Sequence, residues 1–313
     1  KGVPHVIALS GTPLTNRPAE LYPVLNLLCP QHYPSFYPYA TEFCCYQLTP
    51  WGARWLGAKN LDKLHRELKE RCMVRRTKAE VLKDLPSKSR QVITLAIDSP
   101  REYEDAERDL IGWLVKTSPR LARKAMSAEK MVKMGYLKRL AAKLKMKSVY
   151  EWVDNFLEED DGKLILFAVH KKIIQELYAR YKKQAVYVDG SVVGRQRQTA
   201  FKQFQTDKRT RVFIGNVQAA GVGWNGTVAN TVAFVELGWV PGEHIQAEDR
   251  AHRIGTKKPV TVYYLVGKGT IEKSLCRILQ QKQRVLDATL DGGRQKDSLA
   301  IYDQLEKVLL EGR

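Results

Sequence analysis

The sequence predicts an α/β fold in which helices cover both faces of a parallel sheet. After Gly162, short apolar runs alternate with segments whose apolar residues recur at helical spacing. The apolar runs are rich in β-branched residues, as is typical of parallel strands buried on both faces. The chain has 313 residues, 44% of them hydrophobic, which is enough for about two domains with packed cores.

Strands and helices follow one another in a regular order in this part of the chain. The predicted strands are residues 163–168, 185–189, 211–215, 231–235 and 259–266. The predicted helices are residues 171–183, 193–206, 243–253 and 273–290. Because ligands of such sheets bind at the carboxyl ends of the strands, we expect the loops there to carry the chemistry.

The first ninety residues follow a different pattern. Residues 6–9 predict one strand, residues 20–28 a short amphipathic helix, and residues 30–60, rich in Pro, Tyr and Trp, a packed irregular segment. One strand and a few helices do not complete an α/β domain. We therefore expect the end of one domain and a linker in 1–95, a basic helical insertion in 96–150, the main α/β domain in 151–290 and a C-terminal helix in 291–313.

Positive charge dominates the composition. Lys and Arg number 52 and Asp and Glu 34, so the net charge is +18, which predicts a polyanionic partner, with nucleic acid first and an anionic membrane second. Residues 112–147 hold eleven Lys or Arg and one acid, Glu129. They form either solvated amphipathic helices or a surface along a phosphate backbone, and the lack of balancing acids favours the second. The candidate DNA contacts are Lys138, Arg139, Lys143 and Lys145.

Other classes of site are disfavoured. The five cysteines include no C-x-x-C pair, which is typical of reduced thiols in an intracellular protein. The histidines do not cluster with cysteines at zinc-like spacing, so we expect no metal site made by this chain. The longest apolar runs, such as residues 164–169, are far shorter than the ~20 residues of a membrane span, so no membrane-spanning segment is expected, and nucleic acid rather than a membrane is the expected partner.

Four segments occur in the order and spacing of known motifs. They are Leu9-Ser10-Gly11-Thr12-Pro13-Leu14-Thr15-Asn16; Leu164-Ile165-Leu166-Phe167 with Val188-Asp189-Gly190-Ser191 and Arg197; Ala219-Ala220-Gly221-Val222-Gly223-Trp224-Asn225; and Gln246-Ala247-Glu248-Asp249-Arg250-Ala251-His252-Arg253-Ile254-Gly255. Together they resemble motifs III to VI of the Swi/Snf-type DNA-dependent ATPases, a branch of the superfamily-two helicases. The resemblance covers residues 6 to about 290 and implies a RecA-like second helicase lobe, preceded by the end of lobe one.

Finer features resemble one subclass of this family. Segments 17–22, 51–52 with 60–61, 75–78 and 264–270 are similar to those of annealing helicases of the HepA-related-protein type. Such enzymes track along duplex DNA, remodel stalled forks and rewind complementary strands. The resemblance implies double-stranded or forked DNA as the partner of a monomeric motor. That motor would be cytoplasmic in a bacterium or phage and nuclear in a eukaryote.

The fourth segment supplies the candidate catalytic residues. Arg250 and Arg253 are three apart and would share one face of a helix, where two guanidinium groups could reach one triphosphate. The resemblance implies that they act as arginine fingers, with Gln246 and Asp249 orienting them. Taken alone, the segment would be no more than an exposed helix of mixed charge.

Glycine and hydroxyl residues supply the candidate coupling and DNA-backbone contacts. Gly221 and Gly223 would permit a close backbone approach to a phosphate, although such a pair alone is usually a turn. The resemblance implies coupling of hydrolysis to movement through Ser10, Gly11 and Thr12, a segment that also fits a simple strand-ending turn. The candidate phosphate contacts beyond the second and first strands are Ser191, Arg197 and Lys171.

Two phosphate-binding elements of the family are absent from the sequence. No G-x-x-x-x-G-K-[ST] and no Asp-Glu-x-His box occurs, and in the family these bind ATP and Mg²⁺. We therefore expect ATP and Mg²⁺ to be held mainly by an N-terminal lobe, and this chain alone to lack ATPase activity. One alternative is a basic architectural DNA-binding module. The other is a Rossmann-like enzyme, which we disfavour because residues 221–226, Gly-Val-Gly-Trp-Asn-Gly, are not expected to form the dinucleotide-binding G-x-G-x-x-G fingerprint.

Three residues depart from the family pattern. Thr256 stands where glutamine usually follows the Ile-Gly pair, Trp224 where leucine is common, and Asn216 where a small hydroxyl residue is usual. These departures concern the details of coupling rather than the fold.

Overall fold

The computed structural model describes residues 3, 5–50, 52–117, 130–221 and 223–293. The described chain forms two compact units. The first contains the residues up to 84, 239–246 and 278–293, and the second contains 85–238 and 247–277. Among the described residues, no helix is long and apolar enough to cross a membrane.

The first unit is built from short helices and one hairpin. A 3₁₀ turn at Pro18–Leu21 leads into α1, and a two-stranded antiparallel sheet follows α2. The elements are α1 (Tyr22–Leu28), α2 (Phe36–Phe43), β1 (Cys45–Thr49), β2 (Gly52–Leu56), α3 (Leu61–Arg71) and α4 (Lys78–Val81). The helix expected at 20–28 is confirmed, whereas residues 30–60 contain a helix and a hairpin rather than an irregular segment.

The strand predicted at residues 6–9 is wrong. These residues adopt no regular structure, and the side chains of Ile7 and Leu9 are 83% and 92% exposed. A strand must pair its backbone groups with a neighbour, and no strand among the described residues pairs with this segment. Apolar, β-branched composition alone therefore does not determine a strand.

The second unit contains a six-stranded parallel sheet. Its strands are β3 (Lys88–Leu95), β4 (Leu164–Ala168), β5 (Ala185–Val188), β6 (Val212–Asn216), β7 (Thr231–Phe234) and β8 (Val260–Gly267). Their order is β3-β8-β7-β4-β6-β5, and every pairing is parallel. The predicted parallel α/β fold and its five strands are confirmed.

The strand β3 was not predicted. It places the boundary between the first two predicted domains before residue 88 rather than at residue 95. All eight of its residues pair with β8, so residues 88–95 belong to the sheet of the second unit rather than to the first. The segment reads Lys-Ser-Arg-Gln before its apolar half. Because β3 lies at the sheet edge, its polar half hides the apolar signal that identified the central strands.

Helices flank the sheet. They are α5 (Pro100–Arg108), α6 (Leu110–Thr117), α7 (Lys130–Leu144), α8 (Met146–Glu159), α9 (Lys171–Tyr181), α10 (Gly194–Thr206) and α11 (Val217–Ala220). Two further helices, α12 (Pro241–Ala251) and α13 (Glu272–Asp291), contribute residues to both units. The predicted basic helices correspond to α6 and α7, and residues 118–129 of that stretch and 294–313 of the predicted C-terminal helix lie outside the described residues.

Candidate functional site

Two arginines of the fourth segment share one acceptor. The Nη1 atoms of Arg250 and Arg253 donate to the carbonyl oxygen of Trp224, at 3.0 and 3.3 Å. Because α12 ends at Ala251, Arg253 lies in the turn after the helix rather than on it, so the predicted shared helix face is wrong. The two guanidinium groups are nevertheless brought together by the shared carbonyl.

The electrostatics of this pair favour an anion. Burial, followed by the positive charge of Arg253, lowers the pKa of the Arg250 guanidinium, and the carboxylate of Asp249 opposes that shift. Two like charges held beside each other repel, and a bound polyanion would relieve the repulsion. The arrangement can therefore bind a phosphate chain with two guanidinium groups.

The carbonyl that holds the arginines belongs to a fixed tryptophan. The indole of Trp224 is 6% exposed and stacks on Phe201 with a 4.9 Å centroid distance and an interplanar angle of 1°. Its Nε1 donates to the carbonyl of Ala220 at 2.5 Å. The Gly226 N–H also donates to the carbonyl of Arg250 at 2.8 Å. The loop after α11 and the end of α12 are therefore bonded to each other.

The glycines of this loop have specific backbone roles. A Cβ at Gly221 would lie 2.3 Å from the carbonyl oxygen of Val217, so a side chain does not fit there. Gly223 has φ of +81°, which L-residues rarely adopt. Residues 221–226 do have G-x-G-x-x-G spacing, but they follow the short helix α11 and do not join a strand to a helix. The structural context of a dinucleotide fingerprint is therefore missing.

The predicted coupling residues of the first unit lie beside Gln246. The Thr12 N–H donates to Ser10 Oγ at 3.1 Å, and Gln246 Nε2 donates to Thr12 Oγ1. Gly11 is exposed with open space around its α-carbon. The orienting roles predicted for Gln246 and Asp249 stay predictions. Asp249 Oδ1 lies 3.6 Å from Lys88 Nζ.

Ser191 and Lys171 meet beyond the ends of β4 and β5. The Ser191 hydroxyl lies 2.6 Å from Asp189 Oδ1, and Lys171 Nζ lies 3.2 Å from Ser191 Oγ. Burial would raise the pKa of Asp189, but hydrogen bonds from Ser191 and the charge of Lys171 outweigh it, so the pKa is lowered. Ser191 and Lys171 are exposed, but both also contact Asp189, whose Oδ2 lies 3.7 Å from Lys171 Nζ. Their contacts with a phosphate stay a prediction.

Arg197 contacts the residues just before the glycine loop. Its Nη2 donates to the carbonyl of Ala219, and its guanidinium carbon is 5.5 Å from the centroid of the Phe201 ring. Arg197 thereby supports the same aromatic stack that holds Trp224.

The basic helices present only some of their charge to solvent. Arg139 and Lys143 are exposed, whereas Lys138 is 2% exposed and Lys145 is fully buried in an ion pair with Glu272. Buried ammonium groups cannot contact a DNA backbone, so the DNA contacts predicted for Lys138 and Lys145 are wrong. Those predicted for Arg139 and Lys143 stay open.

Several supporting residues were not recognised in the sequence. Buried Glu236 accepts the N–H groups of Val169 and His170 at 2.9 and 2.8 Å and also bonds the His170 ring. Asn216, one of the departures from the family, caps α11 with its Oδ1 and donates to the carbonyl of Val169 at 2.8 Å. The signal available in the sequence was their position, two residues after β7 for Glu236 and at the end of β6 for Asn216, because the carboxyl ends of these parallel strands lie along one edge of the sheet.

Thr256, another departure, closes the turn that carries Arg253. Its Oγ1 accepts the N–H of Arg253 at 3.1 Å and donates to the carbonyl of Ala251 at 2.6 Å. The hydroxyl thus fixes the backbone on which the second arginine sits.

Comparison with known proteins identifies two domain families in the chain. The model of the SNF2-related domain matches residues 2–138, and that of the helicase conserved C-terminal domain matches residues 145–255. The SWI/SNF-related matrix-associated actin-dependent regulator of chromatin subfamily A-like protein 1 of Xenopus tropicalis is 34% identical over 297 residues, which are 91% of this chain and 30% of that protein. The DNA annealing helicase and endonuclease ZRANB3 of Mus musculus is 36% identical over 302 residues, which are 93% of this chain and 28% of that protein.

The chain thus spans about 30% of the length of these curated relatives. Among solved structures, the C-terminal part of the Fun30 ATPase domain aligns over 72% of this chain and 98% of that one, with a TM-score of 0.46 and 18% identity. The family inferred from the motifs is confirmed by the two domain matches and by the relatives.

Proposed function

Because the chain belongs to the SNF2-related, helicase-like family, we propose that it is the C-terminal part of an ATP-dependent motor. The motor tracks along double-stranded DNA and remodels or rewinds it, as the name of the annealing-helicase relative suggests for that protein. The observation that carries the proposal is the pair of guanidinium groups held on the Trp224 carbonyl. In an animal cell the protein would be nuclear.

The residues present fit a triphosphate. Arg250 and Arg253 are half-buried and mutually repelling, and they lie beside a loop whose Gly221 admits no side chain. ATP supplies the transferable γ-phosphoryl group. The two arginines bind and stabilise the negative charge of that group from this chain's side, and the Trp224 stack keeps them in position.

The elements that bind Mg²⁺ and the phosphate tail are assigned to another lobe. The sequence contains no phosphate-binding loop of the G-x-x-x-x-G-K-[ST] type and no Asp-Glu-x-His box. We therefore propose that this chain alone hydrolyses no ATP and completes the active site only together with an N-terminal lobe.

The experiment uses the full-length protein with Arg250→Ala and Arg253→Ala. Hydrolysis measured with blunt duplex DNA is expected to fall by about 10³-fold or more, since arginine fingers contribute that much in related phosphoryl transfers. Binding to the same duplex without nucleotide is expected to stay unchanged. The matched control is Arg209→Ala, whose side chain is 92% exposed.

A basic architectural module is the second candidate, favoured by the charge of residues 112–147. It predicts the reverse result: duplex binding falls with each arginine replaced, and the protein hydrolyses no ATP to begin with. Unchanged hydrolysis in Arg250→Ala would contradict the finger assignment.

A further inference from the structure

The loop that follows β4 is held by side chains from the strands on both sides of β4. The loop consists of Val169 and His170 and leads from the end of β4 into α9. In the sheet, β4 lies between β7 and β6. Glu236 reaches the loop from the β7 side and Asn216 from the β6 side. Loops are ordinarily more mobile than the elements they connect, so bonds from both neighbouring strands give this loop an unusually firm position.

Together with the first bond of α9, these two side chains satisfy the main-chain polar groups of the loop. Glu236 Oε2 accepts the N–H groups of Val169 and His170 at 2.9 and 2.8 Å. Asn216 Nδ2 donates to the carbonyl of Val169 at 2.8 Å. The carbonyl of His170 accepts the N–H of Ile174 at 3.3 Å. The loop conformation is therefore determined by Glu236 and Asn216 rather than by pairing with a neighbouring strand.

Glu236 holds the loop as an ionised carboxylate, although the residue is fully buried. Burial would raise the pKa of its carboxyl group, but the hydrogen bond and charge of His170 and the two loop N–H groups outweigh burial and lower the pKa. The second oxygen, Oε1, bonds Nδ1 of the His170 ring. Because hydrogen bonds to an ionised group are stronger than neutral ones, this carboxylate fixes both the backbone and the ring of the loop.

The loop leads directly into Lys171, a predicted phosphate contact. Lys171 is the first residue of α9, its side chain is 57% exposed, and its Nζ lies 3.2 Å from the hydroxyl of Ser191. Glu236, in contrast, is fully buried and cannot touch a ligand. Any part that Glu236 plays in DNA binding therefore acts through the position of the loop.

Asn216 does more than cap a helix. Its Oδ1 caps α11 by accepting the N–H groups of Gln218 and Ala219 at 3.0 and 3.1 Å, a task that a serine or threonine hydroxyl also performs. The amide adds the donor Nδ2, which bonds the carbonyl of Val169. A serine side chain ends one bond earlier and supplies the cap without this amide donor. The asparagine thus links the start of α11 to the loop after β4.

We propose that Glu236 and Asn216 are positioning residues that hold the loop after β4 in the conformation in which Lys171 binds the DNA backbone. The inference rests on the proposed function in taking DNA as the partner, and it adds two residues that lie outside the four motif segments. When the clamp is weakened, the loop populates other conformations, and the apparent dissociation constant of DNA rises as the competent fraction falls. The number of phosphate contacts in the bound state stays the same.

The test measures binding of the full-length protein to a labelled blunt duplex by fluorescence anisotropy at several salt concentrations. Asn216→Ser keeps the cap of α11, and Glu236→Gln removes the charge. Each is expected to raise the dissociation constant roughly 2- to 10-fold, the effect of one or two lost hydrogen bonds. Each is expected to keep the slope of log K against log salt. Lys171→Ala removes a contact and is expected to flatten that slope by about 0.9.

Asn230→Ser is the matched control, because Asn230 directly precedes β7 and so lies at the opposite edge of the sheet. It is expected to leave the dissociation constant unchanged, and an equal loss in Asn230→Ser and Asn216→Ser would overturn the positioning role. Unchanged binding in both clamp variants would overturn it too, as would a flattened salt slope, which marks a direct contact. Circular dichroism melting identifies a misfolded variant, and Asn216→Ser alone decides the proposal if Glu236→Gln does not fold.

Failure of this inference and failure of the motor proposal give different results. The two clamp variants are expected to keep the maximal ATPase rate at saturating duplex, whereas Arg250→Ala is expected to lose it. A lower maximal rate with an unchanged dissociation constant would overturn the positioning role and assign the clamp to hydrolysis. If Arg250→Ala keeps hydrolysis, the finger assignment fails, and the anisotropy comparison still decides the role of Glu236 and Asn216.

Discussion

Lys145 and Glu272 form a fully buried ion pair. Lys145 Nζ lies 2.7 and 2.9 Å from the two carboxylate oxygens of Glu272 and donates to the carbonyl of Leu265 at 2.7 Å. Glu272 Oε2 also accepts the Gly267 N–H at 2.6 Å. The pair joins the start of α8 to the end of β8 and the start of α13, so a residue of the basic stretch has a structural role.

Removing only the lysine should be strongly destabilising. Lys145→Met leaves an uncompensated buried carboxylate, and the free energy of unfolding is expected to fall by about 3–5 kcal/mol. Adding Glu272→Gln, whose amide oxygen still accepts the Gly267 N–H, should recover much of that loss. Urea unfolding measures both changes. Exposed Lys147→Met is the control, and an equal effect of the two lysine replacements would contradict the buried pair.

The exposed residues of the same stretch should determine the salt dependence of DNA binding. Replacing Arg139 and Lys143 by alanine is expected to flatten the slope of log K against log salt by roughly 0.9 for each phosphate that is no longer neutralised. The measurement is a salt titration of duplex binding by the full-length protein, with Arg209→Ala as control. An unchanged slope would show that these helices carry solvated charge only.

The contrast between these lysines shows what the sequence could not predict. Helical spacing and basic composition indicated α7, but nothing local distinguishes Lys145 from exposed Lys143, because the partner Glu272 is 127 residues away. The strands β4 to β8 were predictable, since central parallel strands are apolar throughout. The edge strand β3 and the hairpin β1–β2 were not, because one is half polar and the other is exposed on both faces.

The residues of the candidate site also divide into those predictable from a local pattern and those set by contacts between distant residues. Arg250, Arg253 and Gly221 belong to a local pattern and were found from it. The acceptor they depend on, the backbone carbonyl of Trp224, is positioned by packing against Phe201 and leaves no local trace in the sequence. Residue types at short spacing thus identified the candidate side chains, and packing between distant residues decides how these side chains are held.

Trp224 should be required for the position of both arginines. Trp224→Ala removes the stack on Phe201 and the tilted ring contact with Phe213, whose centroids lie 4.9 and 4.3 Å away, and should cost about 3–5 kcal/mol of unfolding free energy. Trp224→Leu, which restores the residue common in the family, should cost less and retain more DNA-stimulated ATPase activity. Calorimetry and hydrolysis assays test the order. Equal activity of the two variants would contradict a positioning role for the packed side chain.

The buried carboxylate of Glu248 should make stability depend on pH. Burial would raise its pKa, but the charges and hydrogen bonds of Lys88 and Arg90, at 2.7–2.8 Å, outweigh burial and hold the pKa well below the ordinary value of 4.5. The Tyr264 hydroxyl donates to the same carboxylate at 2.7 Å. The ionised carboxylate of Glu248 is therefore stabilised more in the folded chain than in the unfolded chain.

The sign of the effect follows from this depressed pKa. As pH falls below about 4.5, Glu248 becomes protonated in the unfolded chain but stays ionised in the folded chain. The contribution of this carboxylate to folding stability is therefore present above that pH and is lost progressively below it. Urea unfolding of the wild type between pH 6 and pH 3 should therefore show a steeper loss than Glu248→Gln, whose amide does not titrate. Exposed Glu151→Gln is the control and should follow the wild-type curve. Parallel curves for Glu248→Gln and the wild type would show that the Lys88–Arg90–Glu248 cluster does not determine the acid response.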